Sequence, residues 1–139
     1  MEQIYQDRIL ALAKAIRGMA QIESPTHQAS VSNPTCGDRV DVNLVVSNGV
    51  VDAASTHVRG CALCEAGAGL LVSLAPGLAA ADIETQRDVL KAWLEGEDRD
   101  DLPANMQDFQ PVRAIRNRHK CVSLAYDACV AALRDSDRT

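Results

Sequence analysis

The chain reads as an α+β domain, a small antiparallel β-sheet packed against several helices, and three observations predict it. Apolar residues recur at helical spacing over residues 5–20. The period falls to two over residues 39–46, just before an Asn-Gly turn, and helical spacing returns beyond Gly60. The order helix, hairpin, helices leaves one sheet with the helices gathered on it.

The first helix rests on Tyr5, Ile9, Leu12, Ala13, Ile16, Met19 and Ala20, with charges between them, and is expected to end between Gly18 and Gln21. Residues 22–37 hold Pro25, Pro34 and many Ser, Thr and Asn, and are expected to form a loop with at most a short irregular strand. Val40, Val42, Leu44 and Val46 alternate with Arg39, Asp41 and Asn43 in a half-buried strand. Ser47-Asn48-Gly49 then turns the chain into a second strand over about residues 50–59. Residues 61–75 are small and apolar, with Leu63, Ala66, Leu70 and Leu74 on one helical face. Gly67 and Gly69 inside that helix each cost about 1 kcal/mol against alanine, so close packing is their expected role. Pro76-Gly77 ends it. Asp82 is expected to cap the next helix, which Ile83, Leu90, Trp93 and Leu94 line and Gly96 stops. Five acids and one arginine over residues 95–101 read as a solvated loop. The last helix is expected to begin near Cys121 and to turn Leu124, Ala125, Ala128, Ala132 and Leu133 inward. No internal repeat or second domain is visible, so residues 1–139 read as a single domain.

Composition narrows the function. With 47% apolar and 24% charged residues, the chain has globular and not disordered character. A formal charge of −5 argues against nucleic-acid and anionic-membrane partners, because phosphate binding needs a basic field. The aromatics Tyr5, Trp93, Phe109 and Tyr126 are too scattered for a base-stacking platform. No run has the length of a membrane span, and the N-terminus lacks a signal-peptide core, so a cytoplasmic location is expected. Five cysteines, an odd number, favour metal or thiol chemistry over a disulfide framework.

Three of the cysteines sit in distinctive surroundings: Asn33-Pro34-Thr35-Cys36-Gly37-Asp38, Gly60-Cys61-Ala62 and His119-Lys120-Cys121-Val122-Ser123-Leu124. Cys36 and Asp38, two apart in extended chain, leave the same face, and Asp38 shares the parity of Val40 and Val42. It therefore points to the apolar side, where a carboxylate needs donors or a cation. Cys61 and Cys121 each open a predicted helix, where free N–H groups and the helix dipole favour the thiolate. Arg118, His119 and Lys120 add positive charge beside Cys121. Three sulfurs and one carboxylate from three segments suit one tetrahedral metal site. Buried structural cysteine is the plain alternative for each one singly. Cys61-x-x-Cys64 offers a further thiolate, yet Cys64 lies on the helix's apolar face and core packing is favoured for it. Cys129 falls in the apolar stripe of the last helix. His119 stays open as ligand, proton donor or solvent-facing residue. His27 and His57 read as surface residues.

These motifs resemble the U-type iron–sulfur cluster scaffold family, comprising IscU, SufU and the N-terminal domain of NifU. The resemblance covers about residues 4–134 and rests on Asn33-Pro34-x-Cys36-Gly37-Asp38, the hairpin, Gly60-Cys61-Ala62 and Lys120-Cys121-x-x-Leu124-Ala125. It implies an α+β fold and a surface site in which Cys36, Asp38, Cys61 and Cys121 bind an iron–sulfur cluster or Zn2+, with Asp38 the weakest ligand of the four. It also implies a pyridoxal-phosphate cysteine desulfurase as the sulfur donor, Cys36 or Cys121 as the sulfur acceptor, downstream cluster acceptors as partners, and a monomer or weak homo-oligomer. IscU-type members carry histidine immediately before the last cysteine. Here Lys120 stands there, with His119 one earlier and Arg118 three before Cys121. The segment between Cys61 and Cys121 is long and lacks the leucine-proline-proline-valine-lysine chaperone motif. These features are closer to the SufU-like branch, whose members bind zinc and accept persulfide sulfur. Cys64, Gly67 and Gly69 depart from the family pattern. The function expected is thus a cluster scaffold, with a zinc-dependent sulfurtransferase as the alternative. A zinc nucleobase deaminase is a third reading, from Cys36-Gly37-Asp38 and Cys61-x-x-Cys64. It fails because the acid/base is not glutamate, no proline precedes Cys61, and a strand follows Asp38.

Overall fold

Helix α1 (Gln3–Ile16) leads into a three-stranded antiparallel sheet of β1 (His27–Asn33), β2 (Asp38–Ser47) and β3 (Val50–Arg59). Then come α2 (Ala62–Leu74), α3 (Ala80–Leu94), a short α4 (Ala104–Gln107), two 3-10 turns (Gln110–Ala114 and Arg116–Arg118) and α5 (His119–Asp135). The computed structural model describes residues 3–35 and 37–135. The sheet order is β1-β2-β3, so the strand that alternates most cleanly, β2, lies at the centre. Its Val40, Val42 and Leu44 are completely buried, while Arg39 and Asp41 on the other parity face outward. Asn48 (φ 54°) and Gly49 (φ 77°) both adopt the left-handed conformation that a two-residue hairpin turn demands. A register shift between Val45 and Val46 adjusts the strand beside that turn.

Two expectations are corrected, and the start of the last helix is sharpened. Residues 27–33 form a full strand, not an irregular loop; His27, Ala29 and Val31 turn partly inward while Gln28, Ser30 and Ser32 face solvent. Asp82 does not occupy the cap position of α3. Ala79 does, and Asp82 reaches back from the first turn to accept the Ala79 N–H at 3.4 Å. The last helix starts at His119, with Cys121 already inside its first turn. The segment after the acidic loop also contributes to the core, because Leu102, Met106, Phe109 and Val112 are all buried.

Helix α2 is packed between α1 and α5, and its two glycines make that possible. A Cβ at Gly67 would overlap the Val122 carbonyl of α5, and one at Gly69 would overlap the Leu12 carbonyl of α1. Backbone touches backbone on both sides, closer than any side chain would permit. Residues 121–126 of α5 are correspondingly buried without a break. Gly67→Ala should lower the unfolding free energy by about 2 kcal/mol or more, because the helices must separate to admit the methyl group. Urea unfolding checks this, and unchanged stability would show that the α2–α5 contact is not tight.

Candidate metal centre

The three elements that meet at one end of the sheet each bring one polar atom to the same spot. Asp38 is the first residue of β2, paired with Asn33 of β1 and only 5% exposed. Cys61 is the N-cap of α2, held in extended conformation (φ −75°, ψ 169°) while its carbonyl accepts the first helical N–H from Glu65 at 3.1 Å. Cys121 lies in the first turn of α5 and is 1% exposed. One Asp38 oxygen and the two sulfurs all lie within 4.8 Å of one another. The Cys121 thiol donates to Asp38 Oδ2 at 3.3 Å, and Cys61 Sγ approaches the same oxygen at 4.0 Å. Among the described residues this is the one group of three or more His, Cys, Asp or Glu donors so arranged. Cys36 lies outside the described residues. The neighbouring Gly37 N–H donates to the Asn33 carbonyl at 2.8 Å, with Gly37 at φ 76°.

The electrostatics overturn one expectation. The Cys121 thiol is not acidified by its helix start; it is pushed up to about 12. Burial is the main cause, followed by the hydrogen bond to Asp38 and the nearby Cys61, while contact with Arg118 pulls the other way. The Arg118 guanidinium is itself held further above its ordinary range, chiefly by its hydrogen bond to Cys121 and then by Cys61. Stripping protons from both thiols would bring two thiolates and a carboxylate together within a few ångströms. Such a cluster is costly by itself and favourable around a cation. Two sulfurs with one hard oxygen are a donor set suited to zinc or iron.

The other candidates lie elsewhere. The His119 Nε2–H is shared between the carbonyls of Val112 (3.0 Å) and Arg113 (3.1 Å), which ties α5 to the first of the two 3-10 turns, Gln110–Ala114, and sets the ring's tautomer. It is not among the clustered donors. Cys64 and Cys129 are fully buried in the hydrophobic core. His57 is exposed, 3.8 Å from Asp41 across the outer face of the sheet.

The NifU-like N terminal domain pattern matches residues 4–137. The chain belongs to that family. A SufU from Bacillus subtilis, named a zinc-dependent sulfurtransferase, is 28% identical over 103 residues, which cover 70% of this chain and 68% of that protein. IscU of Thermotoga maritima, named an iron–sulfur cluster assembly scaffold protein, is 25% identical over 140 residues, covering 99% of this chain and 97% of its own. Among solved structures, a NifU-like protein (N-terminal) from Brucella abortus superimposes with a TM-score of 0.87 at 29% identity, over 98% of this chain and 96% of that one. A putative SufU scaffold from Fervidobacterium islandicum shares the fold at a TM-score of 0.84 and 20% identity, over 94% and 96% of the two chains. These relatives establish the U-type scaffold family, with SufU-type proteins among both the sequence and the structural matches.

The raised Cys121 pKa has a testable sign. Unfolded, this thiol ionises near its ordinary value of 9.0; folded, it holds its proton to about 12. The unfolded state therefore binds fewer protons in that window, and stability of the metal-free protein falls as pH rises from about 9 to 12. Cys121→Ser should make that decline shallower in urea unfolding followed against pH. Equal slopes in the two proteins would mean that Cys121 is not buried as a thiol.

Proposed function

We propose that this protein is a scaffold of iron–sulfur cluster assembly in which Cys36, Asp38, Cys61 and Cys121 hold a metal or cluster and accept sulfur from a pyridoxal-phosphate cysteine desulfurase. The observation that carries the proposal is the convergence of a carboxylate and two sulfurs, from the ends of three different elements, within 4.8 Å. A bound soft cation would hold the site sulfurs as thiolates at neutral pH. The relative named as a scaffold supports this assignment, while the one named as a zinc-dependent sulfurtransferase supports the second reading below. Sulfur arrives when an acceptor thiolate attacks the outer sulfur of the desulfurase persulfide. A new S–S bond forms on the scaffold, the old one breaks, and the desulfurase thiolate leaves. Cys36, in the segment just before β2, is the first acceptor in this reading, and Cys121, which Arg118 contacts, is the second. The products pass to downstream acceptor proteins.

A second reading, a zinc-dependent sulfurtransferase that hands on persulfide, is favoured by Arg118. Its guanidinium lies against Cys121 and near Cys61, where it can steady a thiolate that has left the metal. Lys120 stands immediately before Cys121, and the His119 ring is committed to backbone carbonyls.

Elemental analysis of anaerobically purified protein, with its visible spectrum, separates the two. Iron and sulfide in matching amounts with cluster absorption support the scaffold. Tightly held zinc without colour supports the sulfurtransferase, and no affinity for either metal sinks both. Mass spectrometry after incubation with desulfurase and cysteine should find added sulfur on Cys36 or Cys121; sulfur on Cys64 or Cys129 would reject the assignment. Because Cys64 packs in the core, Cys64→Ala should leave zinc affinity unchanged and cost about 1 kcal/mol in stability. A clear loss of affinity in a competitive zinc titration would place Cys64 among the ligands.

A further inference from the structure

Gly60 is exposed, comes directly before Cys61, and has no left-handed φ that would demand glycine. Its small size needs another reason, and Asp38 provides one. The β2–β3 ladder pairs Arg39 with Arg59, so the next step of the antiparallel register sets Asp38 opposite Gly60. A Cβ on Gly60 would lie 2.6 Å from Asp38 Oδ1, 2.8 Å from its Cγ and 3.1 Å from its Cβ. The carboxylate thus occupies the space that any other residue at position 60 would fill. Its second oxygen, Oδ2, is the one that meets Cys121 at 3.3 Å and Cys61 at 4.0 Å.

We infer that Gly60 is a positioning residue for the metal centre: by leaving this space open, it lets the Asp38 carboxylate lie across the end of the sheet with Oδ2 between the two sulfurs. The inference rests on the metal-site reading above and adds a residue that donates no atom to the metal. Alanine at position 60 fits the backbone, yet its methyl group must turn the Asp38 side chain away or push the ends of β2 and β3 apart. In either case the carboxylate oxygen loses its place between the sulfurs. A residue that orients a ligand in this way affects metal affinity by about ten- to a hundredfold.

Gly60 also neighbours Cys61, so a double-mutant cycle is needed to show which ligand it acts through. Zinc affinity is measured by competition with a chromophoric chelator for the parent protein, Gly60→Ala, Asp38→Ala and the double variant. Cobalt(II) is used in parallel, because its d–d bands report the donor set. Gly60→Ala should weaken zinc about tenfold or more and give a cobalt spectrum matching that of Asp38→Ala. The double variant should bind within about twofold of Asp38→Ala alone, since the group Gly60 makes room for is already gone. Further weakening in the double variant would mean that Gly60 acts through Cys61, and it would overturn the inference. So would a Gly60→Ala protein with parental zinc affinity and cobalt spectrum. If Gly60→Ala does not fold, the double variant must fold and bind like Asp38→Ala, because the carboxylate clash has been removed; a double variant that also fails to fold overturns the inference. A parent protein that binds no zinc defeats the metal-site reading itself, and the inference falls with it.

Discussion

Everything at the metal centre depends on the backbone contact between α2 and α5. Gly67 lies against the carbonyl of Val122, the residue directly after Cys121, and Cys61 lies at the start of the helix that carries Gly67. The closest approach of the two helices is therefore made within two turns of both sulfurs. Gly69 fixes the other side of α2 against Leu12 of α1, so α2 can slide toward neither neighbour. A thiolate pair needs its separation held to within about half an ångström to favour one metal geometry over solvent. Here helix packing supplies that precision, because a backbone-to-backbone contact has no rotamers to relax through.

The third donor is set by a different device. Asp38 opens the central strand, and its place is determined by pairing with Asn33 on one side and by the register with β3 on the other. Two rigid systems, a sheet and a helix pair, thus meet at one carboxylate oxygen. That oxygen accepts the Cys121 hydrogen in a nearly solvent-free setting, which explains why the thiol keeps its proton so far above neutrality. The arrangement keeps the Cys121 proton on its sulfur when no cation is present, and leaves that sulfur poised to exchange the proton for one.

Much of this was legible in the residues. Val40, Val42 and Leu44 announced the central strand through their period of two, Asn48-Gly49 announced the turn, and the same parity placed Asp38 facing inward. The glycines of α2 announced close packing because nothing else justifies their cost in a helix. Other features left weaker traces. Strand β1 turns only His27, Ala29 and Val31 inward among polar neighbours, too few for a clear alternation. Leu102, Met106, Phe109 and Val112 are buried at spacings of four, three and three. Pro103 and Pro111 fall between them, however, and only a four-residue helix and a 3-10 segment form there, so the period does not mark one continuous helix. Spacing alone could not bring Asp38, Cys61 and Cys121 together; the surroundings and donor chemistry of these residues suggested one tetrahedral site, and the family resemblance implied the same ligand set. The Cys121 pKa was misread because a helix dipole can be inferred from sequence, whereas the burial that outweighs it cannot. The role of His119 depends on two backbone carbonyls, and carbonyls have no signature in a sequence.

The distance between the donors along the chain carries a last consequence, one of time. Asp38 and Cys121 are 83 residues apart, and the oxygen of one meets the sulfur of the other only after the last helix has docked. During synthesis, β2 and Cys61 leave the ribosome several seconds before Cys121 does, at about 5–20 residues per second. In that interval the nascent chain has a strand end and a helix start, but neither Cys121 nor the α5 packing that fixes the site. A half-made chain is therefore a poor metal trap, and stray ions have little to hold until α5 closes the fold. Completion of the fold and competence for cargo arrive as one event.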